Sequence, residues 1–151
     1  MSLATSASYT LHLLFAGLWT GSVLFVTYGI LPSARAGDLN AAPLEAITGK
    51  LKTVSRTSAV LLFLTGGHMA GTAYTVETLT GTSPGHLVLT MLALWAVLMG
   101  LVEVGAAKLT SGAGQKKVRS PATEAAPFFK GAAVVAILLL IDAGLLAGGG
   151  I

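Results

Sequence analysis

Four long apolar stretches, separated by polar connections, dominate the pattern of this chain. They cover approximately residues 9–31, 57–77, 86–105 and 127–148. About 20 consecutive apolar residues in a helix cross the hydrocarbon core of a bilayer, so we interpret each stretch as a spanning helix. The pattern therefore predicts an all-α fold: an integral membrane four-helix bundle with four transmembrane helices, in a single domain over residues 1–151.

The first stretch contains one ionisable side chain, His12, and lies ahead of the first fixed charge, Arg35. Trp19 follows His12 by two helical turns, so the two side chains share one face of the helix. Gly17 and Gly21 thin the same helix, which allows a neighbouring helix or a flat ligand to come close. An ionisable group inside a membrane span marks a candidate functional site, and His12 is therefore our first candidate.

The second helix is predicted to begin before its apolar stretch. Asn40 is a suitable capping residue, and apolar residues follow it at spacings of three and four, namely Leu44, Ile47, Leu51 and Val54. The stretch itself contains His68 on a small, polar face. That face comprises Thr65, His68, Gly71, Thr72 and Thr75. We expect it to point into the bundle, because lipid would leave the hydroxyl groups without partners.

The third and fourth stretches each contribute one more ionisable candidate. His86 opens the third stretch after the turn signal Pro84-Gly85, and Asp142 lies inside the fourth. Residues 106–126 between them are basic and rich in glycine and serine, so we expect a flexible loop there. Within it, Ser120-Pro121 resembles a helix cap followed by a proline in the first turn, which predicts that the last helix begins at this point.

Composition supports a membrane protein and excludes several other classes. Hydrophobic residues make up 54% of the chain and charged residues 10%, whereas soluble domains have about 25% charged residues. The net charge of +3 does not indicate a nucleic-acid partner, because the basic residues lie between apolar stretches and form no stripe on one face. The chain has no cysteine, which excludes disulfides, thiolate metal sites and iron–sulfur ligation.

The distribution of lysine and arginine predicts the orientation. These residues are concentrated in the first and third connections, whereas the N-terminal segment and the second connection contain none. The positive-inside rule assigns such loops to the cytoplasm, so we expect a multi-pass protein of the cell (plasma) membrane with both termini on the outer side. At about 1.5 Å per residue, the three histidines and Asp142 gather in the outer half of the bundle, with His68 one or two turns deeper than His12.

These side chains predict a metal or haem site, since imidazoles ligate haem iron, copper and zinc. Haem needs a slot, which the glycines around His68 would open. Copper needs none, and would use histidine with Met69 or Met91 nearby. Asp142 would orient an imidazole through a hydrogen bond. No nucleophile–base pair, phosphate loop or pair of carboxylates stands out in the sequence, so enzymatic activity stays open and a non-enzymatic role is favoured.

Short motifs give the chain a resemblance to known families. The first motif is a histidine, a tryptophan and a glycine, closed by Leu-Pro: His12, Trp19, Gly21 and Leu31-Pro32. It resembles the first helix of CopD-type copper-resistance membrane proteins. Two further motifs extend the resemblance over most of residues 9–105: Arg56 with Leu64-Thr65-Gly66, and Thr82-Ser83-Pro84-Gly85. The spacing of His12 and Trp19 is also similar to that in HemJ-type protoporphyrinogen oxidases, small membrane proteins that carry b-type haem.

The residues and the resemblance leave three functional hypotheses open. In the first, His12 and His68 bind one b-type haem in the outer half, with His86 at its rim, for electron transfer or haem-linked redox chemistry. The second is a copper-binding or copper-transport membrane protein. The third is a structural subunit of a larger membrane complex, whose histidines bind nothing. The expected partners are the lipid bilayer, an external electron carrier or metal chaperone, and further copies of the chain or a larger complex.

Overall fold

The computed structural model describes residues 2–149, and within them every regular element is a helix. In chain order these are α1 (Leu3–Phe25), a π-helical turn (Val26–Ile30), α2 (Leu31–Ala36), α3 (Ala41–Ala73), α4 (Val76–Gly81), α5 (Ser83–Gly114) and α6 (Arg119–Ala147). The first three run on as one long helix over Leu3–Ala36. The predicted all-α fold is confirmed.

The four long helices pack side by side in a closed ring. α6 packs mainly on α5, α5 also packs on α3, α3 packs on α1, and the long first helix returns to α6. Three of them, Leu3–Ala36, α5 and α6, are long and apolar enough to cross a membrane, which fits a membrane protein. α3 is less apolar, because its first half carries charged residues and its last turns contain glycine and histidine.

A widened turn in the long first helix forms a contact with α6. Pro32 has no backbone N–H, so the carbonyl of Tyr28 has no helical donor four residues further on, and the π-helical turn lies directly before it. The hydroxyl of Thr27 in this turn lies 2.7 Å from the backbone oxygen of Val23 and 3.1 Å from the backbone oxygen of Phe129, so its single hydrogen is shared between the two. This polar contact brings the first helix against α6.

α3 begins well before its apolar stretch, as predicted. It starts at Ala41, directly after Asn40, and Leu44, the first residue of the predicted apolar stripe, is buried. Further along, Arg56 pairs with Glu103 of α5, with Nε–Oε1 and Nη2–Oε2 distances of 2.8 and 2.9 Å. This bidentate ion pair joins the two helices. Between it and the apolar end of the bundle, neither α3 nor α5 contains a lysine, arginine, aspartate or glutamate.

The prediction of a flexible loop over residues 106–126 is wrong, because most of this segment is helical. α5 continues to Gly114 and α6 begins at Arg119, ahead of the predicted Ser120-Pro121 start. Glycine and alanine face the partner helix here, and a Cβ added at Gly112 would overlap the ring of Pro121. Small residues that make an isolated chain flexible thus form the contact surface of two closely packed helices.

The bundle has two halves that differ in charge and packing. The charged half contains the two connections 37–40 and 115–118, and comprises residues 20–56 and 100–133. The apolar half is the opposite end, and comprises residues 3–19, 57–99 and 134–149. All nine lysine and arginine residues, and most of the buried core, belong to the charged half. Residues 3–18 contain no buried side chain, and residues 137–149 contain one, Asp142.

Candidate functional site

His12 is held by a hydrogen bond that fixes its tautomer. Its Nδ1 lies 2.8 Å from Thr65 Oγ1, and the same hydroxyl lies 2.7 Å from the backbone oxygen of Leu61. A carbonyl only accepts, and a threonine hydroxyl has one hydrogen to donate, so Thr65 donates to Leu61 and accepts from His12. The hydrogen of neutral His12 is therefore on Nδ1. Its Nε2 has a lone pair, to which no side chain or backbone group within residues 2–149 donates a hydrogen bond.

The ring of His12 lies directly against the backbone of α3. A Cβ added at Gly66 would be 3.1 Å from His12 Cε1, so a larger residue at this position would push the ring back by a few tenths of an ångström. Two turns further along α1, the buried indole N–H of Trp19 donates to Ser55 Oγ at 2.7 Å. His12 and Trp19 thus share one helix face, as predicted, and both side chains of that face contact α3.

His68 does not point into the bundle, contrary to the prediction. It is exposed, and of the predicted polar face only Thr65 is buried. The reason is the phase of α3, which buries a regular three-four repeat: Leu44, Thr48, Leu51, Ser55, Ser58, Leu62 and Thr65. That repeat continues to Met69, so His68 lies on the flank. His12 is level with Thr65, to which it is hydrogen-bonded, and His68 lies one turn beyond Thr65 towards the end of α3. His68 is therefore nearer the apolar end of the bundle than His12, whereas the sequence predicted that it is deeper.

The side chain of His86 contacts α4 and forms no hydrogen bond with the other two histidines. It is exposed at the beginning of α5, and its Nε2 donates to the backbone oxygen of Thr80 at 2.7 Å, which ties α5 to α4. In the part of the chain that the structure describes, no three histidine, aspartate or glutamate side chains are grouped as metal ligands. His12, His68, His86 and Asp142 all lie in the apolar half, but these contacts do not join them into one group.

Asp142 is buried in α6 without a hydrogen-bond partner. Its exposed fraction is 5%, and its Oδ2 contacts no donor among residues 2–149. The hydrogen bond predicted between Asp142 and an imidazole is not formed among these residues. The neighbouring Ile141 is 53% exposed, so α6 turns its carboxyl group inward and its large apolar side chains outward. Burying a carboxyl group without a partner is costly, which makes Asp142 a candidate ligand-binding group.

The residues present do not fit a haem held between His12 and His68. The first histidine packs on a helix backbone, and the second lies on the outer surface. Two shallow, open grooves, of about 530 and 620 Å³, lie in the charged half, where they are lined by residues such as Lys108 and Lys50 and contain no histidine.

Sequence reasoning missed two inward-facing hydroxyl groups. Thr65 was assigned to a polar face but not identified as the partner of His12, and Ser58 was not considered. Ser58 is fully buried, and its Oγ has no hydrogen-bond partner among the described residues. The three-four repeat of α3 contains both, so that repeat was the signal available in the sequence.

The chain matches no protein-family model, no curated protein and no solved structure. The resemblance to CopD-type and HemJ-type membrane proteins therefore stays an expectation from short motifs.

Proposed function

We propose that all four long helices cross the cell membrane, with the charged half on the cytoplasmic side and both termini outside. The support is the segregation of charge, because every lysine and arginine lies in the charged half and cytoplasmic loops are enriched in these residues. α3 joins the other three as a spanning helix because it exposes large apolar side chains in the apolar half: Val60, Phe63 and Leu64.

Labelling of single cysteines tests this orientation, since the chain has none of its own. The exposed Ser111 lies in the charged half, and the exposed Val76 lies in α4 at the other end. A membrane-impermeant maleimide added to intact cells is expected to label Val76→Cys, and to label Ser111→Cys only after the membrane is permeabilised. The reverse pattern would overturn the orientation.

Within this architecture, the chain handles copper through His12. The observation that supports copper is the free Nε2 of His12, whose other ring nitrogen is tied to Thr65. Histidines that ligate metals usually donate their second ring nitrogen to a protein acceptor in this way. A copper ion needs no slot, whereas haem would need a gap beside His12 wide enough for the macrocycle. The role is binding or transport of the ion, with no catalytic step.

The test is copper binding by the detergent-purified protein, measured by competition with a Cu(I) chelator, together with a visible spectrum after incubation with haem. The wild type is expected to bind one copper, and His12→Ala to bind none, while His86→Ala serves as the matched control and retains it. A Soret band that is lost in His12→Ala would replace copper by haem. Binding of neither ligand would overturn the proposal in favour of a structural subunit.

A further inference from the structure

We propose that His12, Met91 and Asp142 together form the binding site for one Cu(I) ion inside the apolar half. The inference rests on the copper-handling function proposed above and adds the ligand set and the oxidation state. It begins from the buried carboxyl of Asp142, which has no partner within residues 2–149. The three side chains come from three different helices, and the packing contacts of the bundle put them at one level.

The level of Met91 and Asp142 follows from the register of α5 and α6. The two helices run in opposite directions, so equal steps along them keep two residues level. Two packing contacts fix the register: Gly105 with Phe129, and Leu101 with Gly131. Counting equal numbers of residues from both pairs towards the apolar half places Met91 level with residues 141–143, the segment centred on Asp142.

The level of His12 follows from the register of α3. Two contacts between α3 and α5 fix this register. Ser55 Oγ lies 3.9 Å from Met99 Sδ, and one turn nearer the apolar end the indole N–H of Trp95 donates to the backbone oxygen of Ala59 at 3.1 Å. Extended at equal rise, these contacts put Met91 level with the turn of α3 that contains Thr65. Thr65 accepts the hydrogen bond from His12, so His12, Met91 and Asp142 occupy one layer of the bundle.

The three side chains are also shielded from the surface. Asp142 is buried, and His12 is half-buried against α3. Met91 is half-buried and lies two helical turns from Leu98, which is fully buried, so the two share the inner face of α5. On α5, no ionisable side chain lies between His86 and Glu103. The layer therefore contains one imidazole, one thioether and one carboxyl group, all on side chains that are at least half-buried.

The chemistry of this donor set selects Cu(I). A thioether is a soft ligand that favours Cu(I), and imidazole nitrogen binds copper as well. The carboxylate of Asp142 supplies one negative charge, which balances a monovalent cation. A divalent ion would leave a net positive charge in a region of low dielectric constant, where unbalanced charge is costly. No lysine or arginine in the apolar half competes for the carboxylate.

Met69 provides a matched control. It is half-buried at the next inward position of α3, one turn beyond Thr65, so it faces the interior outside the layer. Met91→Leu and Asp142→Asn keep the volume of each side chain and remove the sulfur or the charge, so both variants are expected to fold. Met69→Leu makes the same chemical change as Met91→Leu at the neighbouring level.

The experiment measures Cu(I) affinity by chelator competition, with Ag(I) as a redox-inert probe, in wild type and the three variants. Met91→Leu and Asp142→Asn are each expected to weaken Cu(I) binding by about 10–100-fold, the effect that removal of a metal-site partner usually has, and Met69→Leu to leave it unchanged. X-ray absorption at the copper edge should detect one sulfur neighbour in wild type, and none in Met91→Leu.

The outcomes separate this inference from the function on which it rests. Copper binding that depends on His12 but not on Met91 or Asp142 would overturn the three-residue site and leave the proposed function standing. A wild-type protein that binds no copper would overturn both. Zn(II) binding as tight as Cu(I) binding at the same site would contradict the argument from charge and softness, and with it the assignment of Cu(I).

Discussion

The two halves of the bundle are built on opposite plans. In the charged half, large side chains such as Phe129 and Leu109 are fully buried, small residues let the helices approach, and the charges lie outside. In the apolar half, most leucine, isoleucine and phenylalanine side chains lie outside. The inward positions there include hydroxyl groups, an imidazole and a carboxyl group, with Asp142 the one buried side chain of residues 137–149.

The proposed position in the membrane accounts for this difference. Burial of apolar surface drives packing only where the alternative is water, and in lipid the tails are as apolar as the core. Helices in lipid therefore associate through close packing and polar contacts, such as the hydrogen bonds of His12 with Thr65 and of Trp19 with Ser55. The comparison teaches that stability resides mainly in the charged half and specific chemistry in the apolar half.

The largest expected effect comes from removing the central aromatic side chain of the charged half. Phe129 is fully buried, so Phe129→Ala should lower the free energy of unfolding by about 3–5 kcal/mol, the usual cost of such a cavity. The control is Ile141→Ala in the apolar half, which removes a side chain from the outer surface and should cost less than about 1 kcal/mol. Denaturant unfolding in detergent measures both, and equal losses would contradict the division of stability between the halves.

A smaller effect is expected from adding one methyl group where α5 meets α6. Gly112→Ala would force the new Cβ into the ring of Pro121, and overpacking of this kind costs about 1–3 kcal/mol. At Gly100, nothing lies within 4 Å of an added Cβ, so Gly100→Ala should be neutral or slightly stabilising, because alanine is the better helix former. A stable Gly112→Ala variant would show that the charged half is not closely packed.

The smallest expected change in stability concerns the hydrogen bond of His12. Thr65→Val removes the acceptor while keeping the shape, and should cost about 1 kcal/mol. The control is Thr72→Val, on the exposed side of α3. Nitrogen NMR of the labelled ring should report hydrogen on Nδ1 of His12 in wild type and in Thr72→Val. If Thr65→Val left that tautomer fully populated, Thr65 would not be the group that orients the imidazole.

The sequence by itself determined the features that depend on local pattern. Apolar stretches and their charge-free length predicted the long helices, and the spacing of His12 and Trp19 predicted their shared face. The stripe that starts at Leu44 predicted that α3 begins before its apolar stretch. These properties follow from helical periodicity and from the distribution of charge along one chain, so no knowledge of neighbouring helices was needed.

Only the tertiary structure decided which of two compatible arrangements each residue adopts. Residues 106–126 have the composition of a loop, but the contact between α5 and α6 makes most of them helical, because glycine allows close approach. His68 lies on a small, polar face that suits either the interior or the outer surface, and the packing phase of α3 puts it outside. Asp142 and Met91 become neighbours in depth through the register of antiparallel helices, which long-range contacts set and which local sequence does not encode.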